Sequence, residues 1–241
     1  MKQLPVLALP GLLLDERLWQ HQAAALGAER ALTSFPLVPE ASMGELAAAA
    51  LARAPAGRFA LAGLSMGGYL AFEIVRRAPE RVAALALLDT SARPDTAQAS
   101  EARRSAIAQS ATDFDGVVDT LLGRFLHPSR LDDEALVGIV RAMAHGIGRE
   151  RFVRQQEAIM GRADSRPTLA QIRCPTLVLC GRDDVLTPLE LHEEMHAGIA
   201  GSRLVVLDHC GHLAPLERPD DVTQALRQWL GVVDEARGER Q

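Results

Sequence analysis

Aromatic residues are scarce in this sequence: six Phe, two Trp and one Tyr make up 4% of 241 positions. The formal net charge is −5, so the chain has no basic footprint for a phosphate backbone and few platforms for base stacking. Both absences exclude nucleic-acid binding as the primary role. No apolar run approaches the ~18–20 residues needed to span a bilayer, which excludes a helical membrane anchor. The apolar stretch Leu4 to Leu14, preceded by Lys2, imitates a secretory signal. Pro5, Pro10 and Gly11 interrupt it and no small-x-small cleavage site follows, so it reads as a buried strand running into a loop. Cysteines number three. An odd count without framework spacing fits a reducing, cytoplasmic setting. Cys174 and Cys180 lie on one expected strand, too far apart to bridge if it is extended. There is no internal repeat, and no low-complexity segment beyond an alanine bias.

What is present is an ordinary globular mixture, 48% hydrophobic and 24% charged. A chain of this mass buries roughly 70% of its extended surface, enough for a core that needs neither disulfide nor structural metal. Short apolar runs at Leu4–Leu9, Arg30–Thr33, Arg58–Leu64, Val82–Leu88, Thr176–Cys180 and Arg203–Leu207 read as strands. Most are continuously apolar, as expected of strands covered on both faces in a parallel sheet. Between them lie helical patterns at Glu16–Leu26, Ser42–Arg53, Met66–Arg77, Leu189–Ile199 and Asp221–Leu230. Ser42 with Glu45 reads as a capping box, and Pro79 as a stop signal. The alternation predicts an α/β sheet with right-handed crossovers. From about Ser91 to Ile172 the rhythm breaks into helical pattern alone. Ser129-x-x-Asp132 is expected to cap a run containing Leu131, Leu136, Ile139, Val140 and Met143, and a further helix presents Phe152, Ile159 and Met160. This gives a core of residues 1–90 and 173–241 with residues 91–172 inserted as a helical cap. The polar tail after Val233 is expected to fray.

Gly63-Leu64-Ser65-Met66-Gly67 follows an apolar strand and opens a helix. That is the context of a nucleophile elbow, where crowding at a strand–turn–helix corner demands glycine two residues either side of the serine. A serine hydroxyl is a weak nucleophile at neutral pH and needs a base, itself held by a carboxylate. Asp183 and Asp184 follow the strand Thr176–Cys180, and His212 follows the strand Arg203–Leu207. These are carboxyl ends of neighbouring strands, where parallel sheets place their ligands. Asp89, at the end of Val82–Leu88, is a further candidate acid. Asp208 and His209 read as loop structure, and Cys210 as an inert buried thiol.

The segments Leu-Pro-Gly-Leu-Leu (9–13), Gly-Leu-Ser-Met-Gly-Gly (63–68), Leu-Leu-Asp-Thr-Ser (87–91), Gly-Arg-Asp-Asp (181–184) with Pro188, and Gly-His-Leu-Ala-Pro-Leu-Glu-Arg-Pro (211–219) carry a resemblance over essentially the whole chain. The sequence resembles the α/β-hydrolases, specifically capped single-domain serine esterases of the pimeloyl-carrier-protein methyl esterase and enol-lactonase group. The resemblance implies Ser65 as nucleophile, His212 as base and Asp184 as acid, the last from its spacing to Gly181 and Pro188. It places the oxyanion donors at the amides of Leu12 and Met66, although Pro10-Gly11 stands where relatives usually have His-Gly. Relatives also begin with two extra strands. Here the expected sheet has six strands, all parallel, in the order 2-1-3-4-5-6.

His192-Glu193-Glu194-Met195-His196 is a literal His-Glu-x-x-His, the string zinc proteases use. Its place on a crossover helix, with no third ligand at a usual spacing, predicts exposed helix-face histidines and no metal. Between Arg141 and Arg166 six arginines (141, 149, 151, 154, 162, 166) face three acids (150, 157, 164), a charge bias suited to a solvated face or to steering an acidic carrier protein. Phe125, Leu126, Met143, Phe152 and Met160 are expected to be mostly cap core. Leu13, Phe125, Met143, Phe152 and Leu213 are the expected substrate-contacting residues. Together these readings predict a cofactor-free esterase for short to medium acyl chains. A carbon–carbon bond hydrolase or a perhydrolase would use the same residues, and a non-catalytic receptor would use the fold alone. A dehalogenase would need aspartate at position 65.

Overall fold

The computed structural model describes residues 3–36 and 41–238; Lys2 and the last three residues of the tail lie outside them. Six strands, β1 (Val6–Leu9), β2 (Leu32–Ser34), β3 (Phe59–Leu64), β4 (Val82–Leu88), β5 (Thr176–Gly181) and β6 (Arg203–Leu207), form one sheet in the order β2-β1-β3-β4-β5-β6. Every pairing is parallel. The continuously apolar strands β1, β3, β4 and β5 are buried along their whole length. The edge strands β2 and β6 are half-exposed, because each is covered by fewer neighbours. The parallel order requires crossovers, which the helices supply.

The helices of the core are α1 (Gln20–Leu26), α2 (Met43–Arg53), α3 (Met66–Arg77), α8 (Leu189–Gly198), α9 (Ala214–Glu217) and α10 (Pro219–Gly238). A turn of 3-10 helix, Glu16–Trp19, leads into α1. The capping box forms in part: Ser42 Oγ accepts from the Glu45 amide at 3.2 Å, while the Glu45 carboxylate bonds the same hydroxyl. Helix α3 ends at Arg77, and Ala78, which precedes Pro79, leaves the helical region. Helix α10 continues through Gly238 rather than fraying after Val233. Asp234 on this helix meets Arg30 at 2.6 Å, and the Arg30 side chain is only 4% exposed. That long-range pair anchors a segment whose local sequence reads as a polar tail.

Helices α4 (Ala97–Gln109), α5 (Phe114–Phe125), α6 (Glu134–Met160) and α7 (Arg166–Leu169) make the inserted cap. Helix α6 is two helical segments joined across a kink at Gly148, whose φ is +76°. Its N-cap is Asp133, which accepts from the Leu136 amide at 3.1 Å, not Ser129. Ser129 sits instead in a 3-10 turn, and Leu131 and Ile139 face solvent. One bond draws the two chain ends of the cap together, and another ties its middle to the core. The Ser165 amide donates to Ala92 O, and the His127 amide donates to the buried Glu217 carboxylate.

Candidate active site

Ser65 occupies the sharp turn between β3 and α3 with φ +55° and ψ −116°, a conformation that L residues avoid. The turn is held by the Ser65 amide donating to Leu88 O and by Thr90 Oγ1 donating to Ser65 O. The flanking glycines are required by close approach. A Cβ at Gly63 would strike the Gly67 carbonyl, and one at Gly67 would strike the carbonyls of Leu9 and Pro10. The crowding deduced from the motif is therefore backbone against backbone.

His212 Nε2 lies 2.8 Å from Ser65 Oγ, and His212 Nδ1 lies 2.7 Å from Asp184 Oδ2. Both Asp184 and His212 are buried. Asp184 Oδ1 accepts from the amides of Leu186 and Thr187, at 2.8 and 3.1 Å, and Oδ2 also accepts from Thr187 Oγ1. Burial alone would raise this carboxyl, but His212 and the Thr187 donors outweigh it and hold Asp184 below the usual carboxylate range. His212 is fixed from behind: its amide donates to Phe125 O at 2.8 Å, and the Phe125 ring stacks on the imidazole at 5.8 Å. Glu217 completes the support. Its buried carboxylate accepts from the amides of Gly211, Leu213 and His127, so one side chain organises the loop carrying His212 and the root of the cap. Burial raises the Glu217 carboxyl against the pull of those amides.

The other candidate acids sit elsewhere. Asp183 is exposed and faces His127. Asp89 is fully buried, and its Oδ1 accepts from the Gly181 amide at 2.9 Å. Burial, reinforced by the charge of Asp184, pushes the Asp89 carboxyl well above its ordinary value. Asp89 thus braces the turn before Asp184 without touching the imidazole. Cys210 is buried, and burial raises its thiol, as expected of an inert cysteine. His192 departs from expectation. It is fully buried, its Nε2 accepts from the Thr90 amide at 3.0 Å, and burial lowers it to about 4. It faces the turn that follows β4, while His196 is exposed and bonded to Ser202 Oγ. The two histidines do different structural jobs.

Leu12 and Met66 adjoin Ser65, and among the described residues their amides donate to no protein acceptor. Met66 opens α3, where a first-turn N–H has no intrahelical partner. The next amide along the Leu12 loop, that of Leu13, donates at 2.9 Å to Oε1 of Gln155, a buried side chain on cap helix α6. Leu13 itself holds φ +59°. The cap thus grips the loop that follows β1.

Above Ser65 and His212 is a cavity of about 240 Å³. Its walls include Leu12, Tyr69, Phe125 and Ile159, together with the cations Arg103 and Arg124. Of the side chains expected at the substrate, only Phe125 is in the wall. Leu13, Met143, Phe152 and Leu213 are at most 1% exposed and pack into the interior instead. The polar wall was not anticipated. Arg103 bonds Gln156 Oε1 and shares Asp95 with Arg162, whose guanidinium lies 4.3 Å above the Tyr69 ring. Arg124 makes no ion pair among the described residues. No spacing rule would reveal these groups, because they come from different helices of the cap and α3. Of the six arginines between Arg141 and Arg166, Arg141, Arg162 and Arg166 are paired with Asp119, Asp95 and Asp164, while Arg149, Arg151 and Arg154 are exposed.

Residues 29–219 match the alpha/beta hydrolase fold family. The chain belongs to that family. It is 27% identical over 238 residues to RutD of Klebsiella pneumoniae, assigned as a carbamate hydrolase, covering 89% of this chain and 86% of the relative. It is 27% identical over 184 residues to the pimeloyl-[acyl-carrier protein] methyl ester esterase of Neisseria meningitidis, covering 73% of this chain and 58% of the relative. Among solved structures, a thermophilic esterase from Thermogutta terrifontis with malate bound aligns with a TM-score of 0.88 and 33% identity, over 96% of this chain and 91% of that one. The enol-lactonase from Burkholderia xenovorans LB400 shares the fold, with a TM-score of 0.85 at 24% identity over 95% of this chain and 92% of that one. This α/β-hydrolase is thus related to the group its motifs resemble. No helix among the described residues is long and apolar enough to cross a membrane.

Proposed function

We propose that this α/β-hydrolase cleaves carboxylic esters of short to medium acyl chain through an acyl-enzyme on Ser65. The observation that carries the reading is the continuous relay from Ser65 Oγ to His212 Nε2 and from His212 Nδ1 to Asp184, at 2.8 and 2.7 Å, beneath a cavity. Ser65 attacks the ester carbonyl as His212 takes its proton. Asp184 holds the Nδ1–H tautomer and stabilises the imidazolium. The amides of Leu12 and Met66 receive the oxyanion. Collapse of the tetrahedral intermediate expels the alcohol, protonated by His212. Water then attacks the acyl-enzyme by the same route and releases the acid.

The cavity lies below the range of about 300–1,000 Å³ typical of sites for drug-sized ligands, which supports small acyl groups. Arg103 and Arg124 in its wall favour esters carrying an anionic group. The exposed cap arginines 149, 151 and 154 are a candidate contact for an acidic carrier protein. Three free thiols suit a reducing, cytoplasmic setting. A fluorophosphonate should label Ser65 alone, and Ser65→Ala should abolish both labelling and the burst of alcohol from an activated ester. An adduct mapped to another residue, or turnover by Ser65→Ala near the wild-type level, would overturn the proposal.

A further inference from the structure

We propose that His127, Asp183 and His209 form a binding site for one divalent transition-metal ion, of which zinc is the reference case. The site lies at the seam between the cap and the loops that carry Asp184 and His212. His127 follows cap helix α5, Asp183 follows β5 and His209 follows β6. Each contributes one ligand atom, and these atoms all lie within 4.8 Å of one another. His127 Nε2 and Asp183 Oδ2 are 3.6 Å apart. Ligands on a tetrahedral ion with bonds of about 2.0–2.1 Å sit about 3.3 Å from each other, so closure asks the ligand atoms to draw together by at most about 1.5 Å through side-chain rotation. The His127 and His209 rings meet edge to face, with centroids 6.0 Å apart.

The donor set selects the ion. Two imidazoles and one carboxylate suit zinc, cobalt, nickel or copper, whereas magnesium and calcium prefer all-oxygen shells. Three protein ligands leave a fourth position for water. The scaffold is already in place on all three sides. The His127 amide is held by the buried Glu217, and the Asp183 amide donates to Cys210 O at 3.0 Å. His209 holds φ +53°, in the left-handed region that few non-glycine residues adopt. His127 Nδ1 lies 2.7 Å from Ser129 Oγ, which can accept a hydrogen bond from Nδ1–H and leave the Nε2 lone pair facing Asp183. The Ser129 amide competes for the same nitrogen at 3.2 Å, so metal binding selects the Nδ1–H tautomer.

Such an ion has no part in the ester chemistry. It would act as a clamp, because its three ligands belong to the root of the cap and to both loops behind the relay. As a mere surface ion pair, His127 and Asp183 would contribute little to stability.

The test uses untagged, chelator-stripped protein titrated with Co²⁺, followed by its visible absorption, and with Zn²⁺ in competition with a chromogenic chelator. One equivalent should bind per chain. At a hundredfold excess over Kd the melting temperature should rise by about 5 °C. His127→Ala and His209→Ala should each weaken binding by at least about tenfold and remove the thermal shift. His21→Ala and His145→Ala, at exposed histidines that each face a single carboxylate, should change neither. Melting of the metal-free variants checks that each is folded, and His209→Ala, at an exposed position, keeps the test available if His127→Ala is not. Absence of saturable uptake by the wild type, or uptake that survives in His127→Ala/His209→Ala, would overturn the proposal.

Discussion

Replacing Asp184 by Asn tests the relay at one atom. Oδ1 of Asp184 accepts two backbone amides, from Leu186 and Thr187, while Oδ2 faces His212 Nδ1. An Asn side chain must keep its oxygen toward the two amides, since turning its NH₂ there would set donor against donor twice. The NH₂ therefore takes the Oδ2 position and donates to Nδ1. That forces the imidazole into the tautomer with hydrogen on Nε2, which points a donor at Ser65 Oγ where an acceptor is needed. In serine-protease triads such an exchange costs about 10⁴ in kcat, or about 5.4 kcal/mol at 1.36 kcal/mol per tenfold. KM should change little, because Asp184 is not in the cavity wall. Asp183→Asn, at a side chain 43% exposed, should stay within about threefold of wild type. The assay is steady-state hydrolysis of a p-nitrophenyl ester, with thermal melting to show that both variants fold. Asp184→Asn within tenfold of wild type, or equal losses at the two positions, would refute the tautomer argument.

Gln155→Leu leaves the buried Leu13 amide without its acceptor and loosens the loop bearing the Leu12 N–H. kcat should fall by about tenfold or more with KM nearly constant, and a change in KM alone would count against a positioning role. Asp95 answers both Arg103 and Arg162 from a side chain only 2% exposed, so Asp95→Asn should cost about 3 kcal/mol at neutral pH. Although burial opposes ionisation, the two arginines lower the Asp95 carboxyl, so its contribution is complete above the ordinary carboxylate value and fades as pH falls through the lowered one. Melting curves of the two proteins should accordingly converge in acid, and a constant gap would refute the linkage. Rates on p-nitrophenyl esters of two to sixteen acyl carbons should climb by up to about 0.8 kcal/mol per accommodated methylene and then stop. A maximum at twelve carbons or beyond would refute the small cavity.

The sheet was legible because burial on both faces writes continuous apolar runs, and the sharp turn at Ser65 because its glycines answer a local collision. The approach of Asp184 and His212 to Ser65 was legible from their places at strand ends together with family spacing. The cap was harder to read. Hydrophobic pattern tells that Met143 and Phe152 are buried, but not that they pack among helices rather than toward the cavity. Long-range polar contacts leave even less trace. Nothing near Gln155 announces Leu13, nothing near Arg30 announces Asp234, and His192 looks like a surface residue until the Thr90 amide is placed against it. The misplaced cap at Ser129 shows the same limit at short range, since the Asp133 carboxylate, four residues on, caps as well as a serine hydroxyl.

The bond from Gln155 to Leu13 bears on how the protein could be rebuilt. One way to change what such a scaffold accepts is to exchange the inserted helices and keep the sheet. In this chain a graft that removed residue 155 would also remove a tether from the loop beside Ser65, so a chimera could present an intact Ser65, His212 and Asp184 and still turn over poorly. An acceptor at that one site on the incoming helix, at the depth of the Gln155 carboxamide, is therefore the minimum requirement for transplanting a new lid.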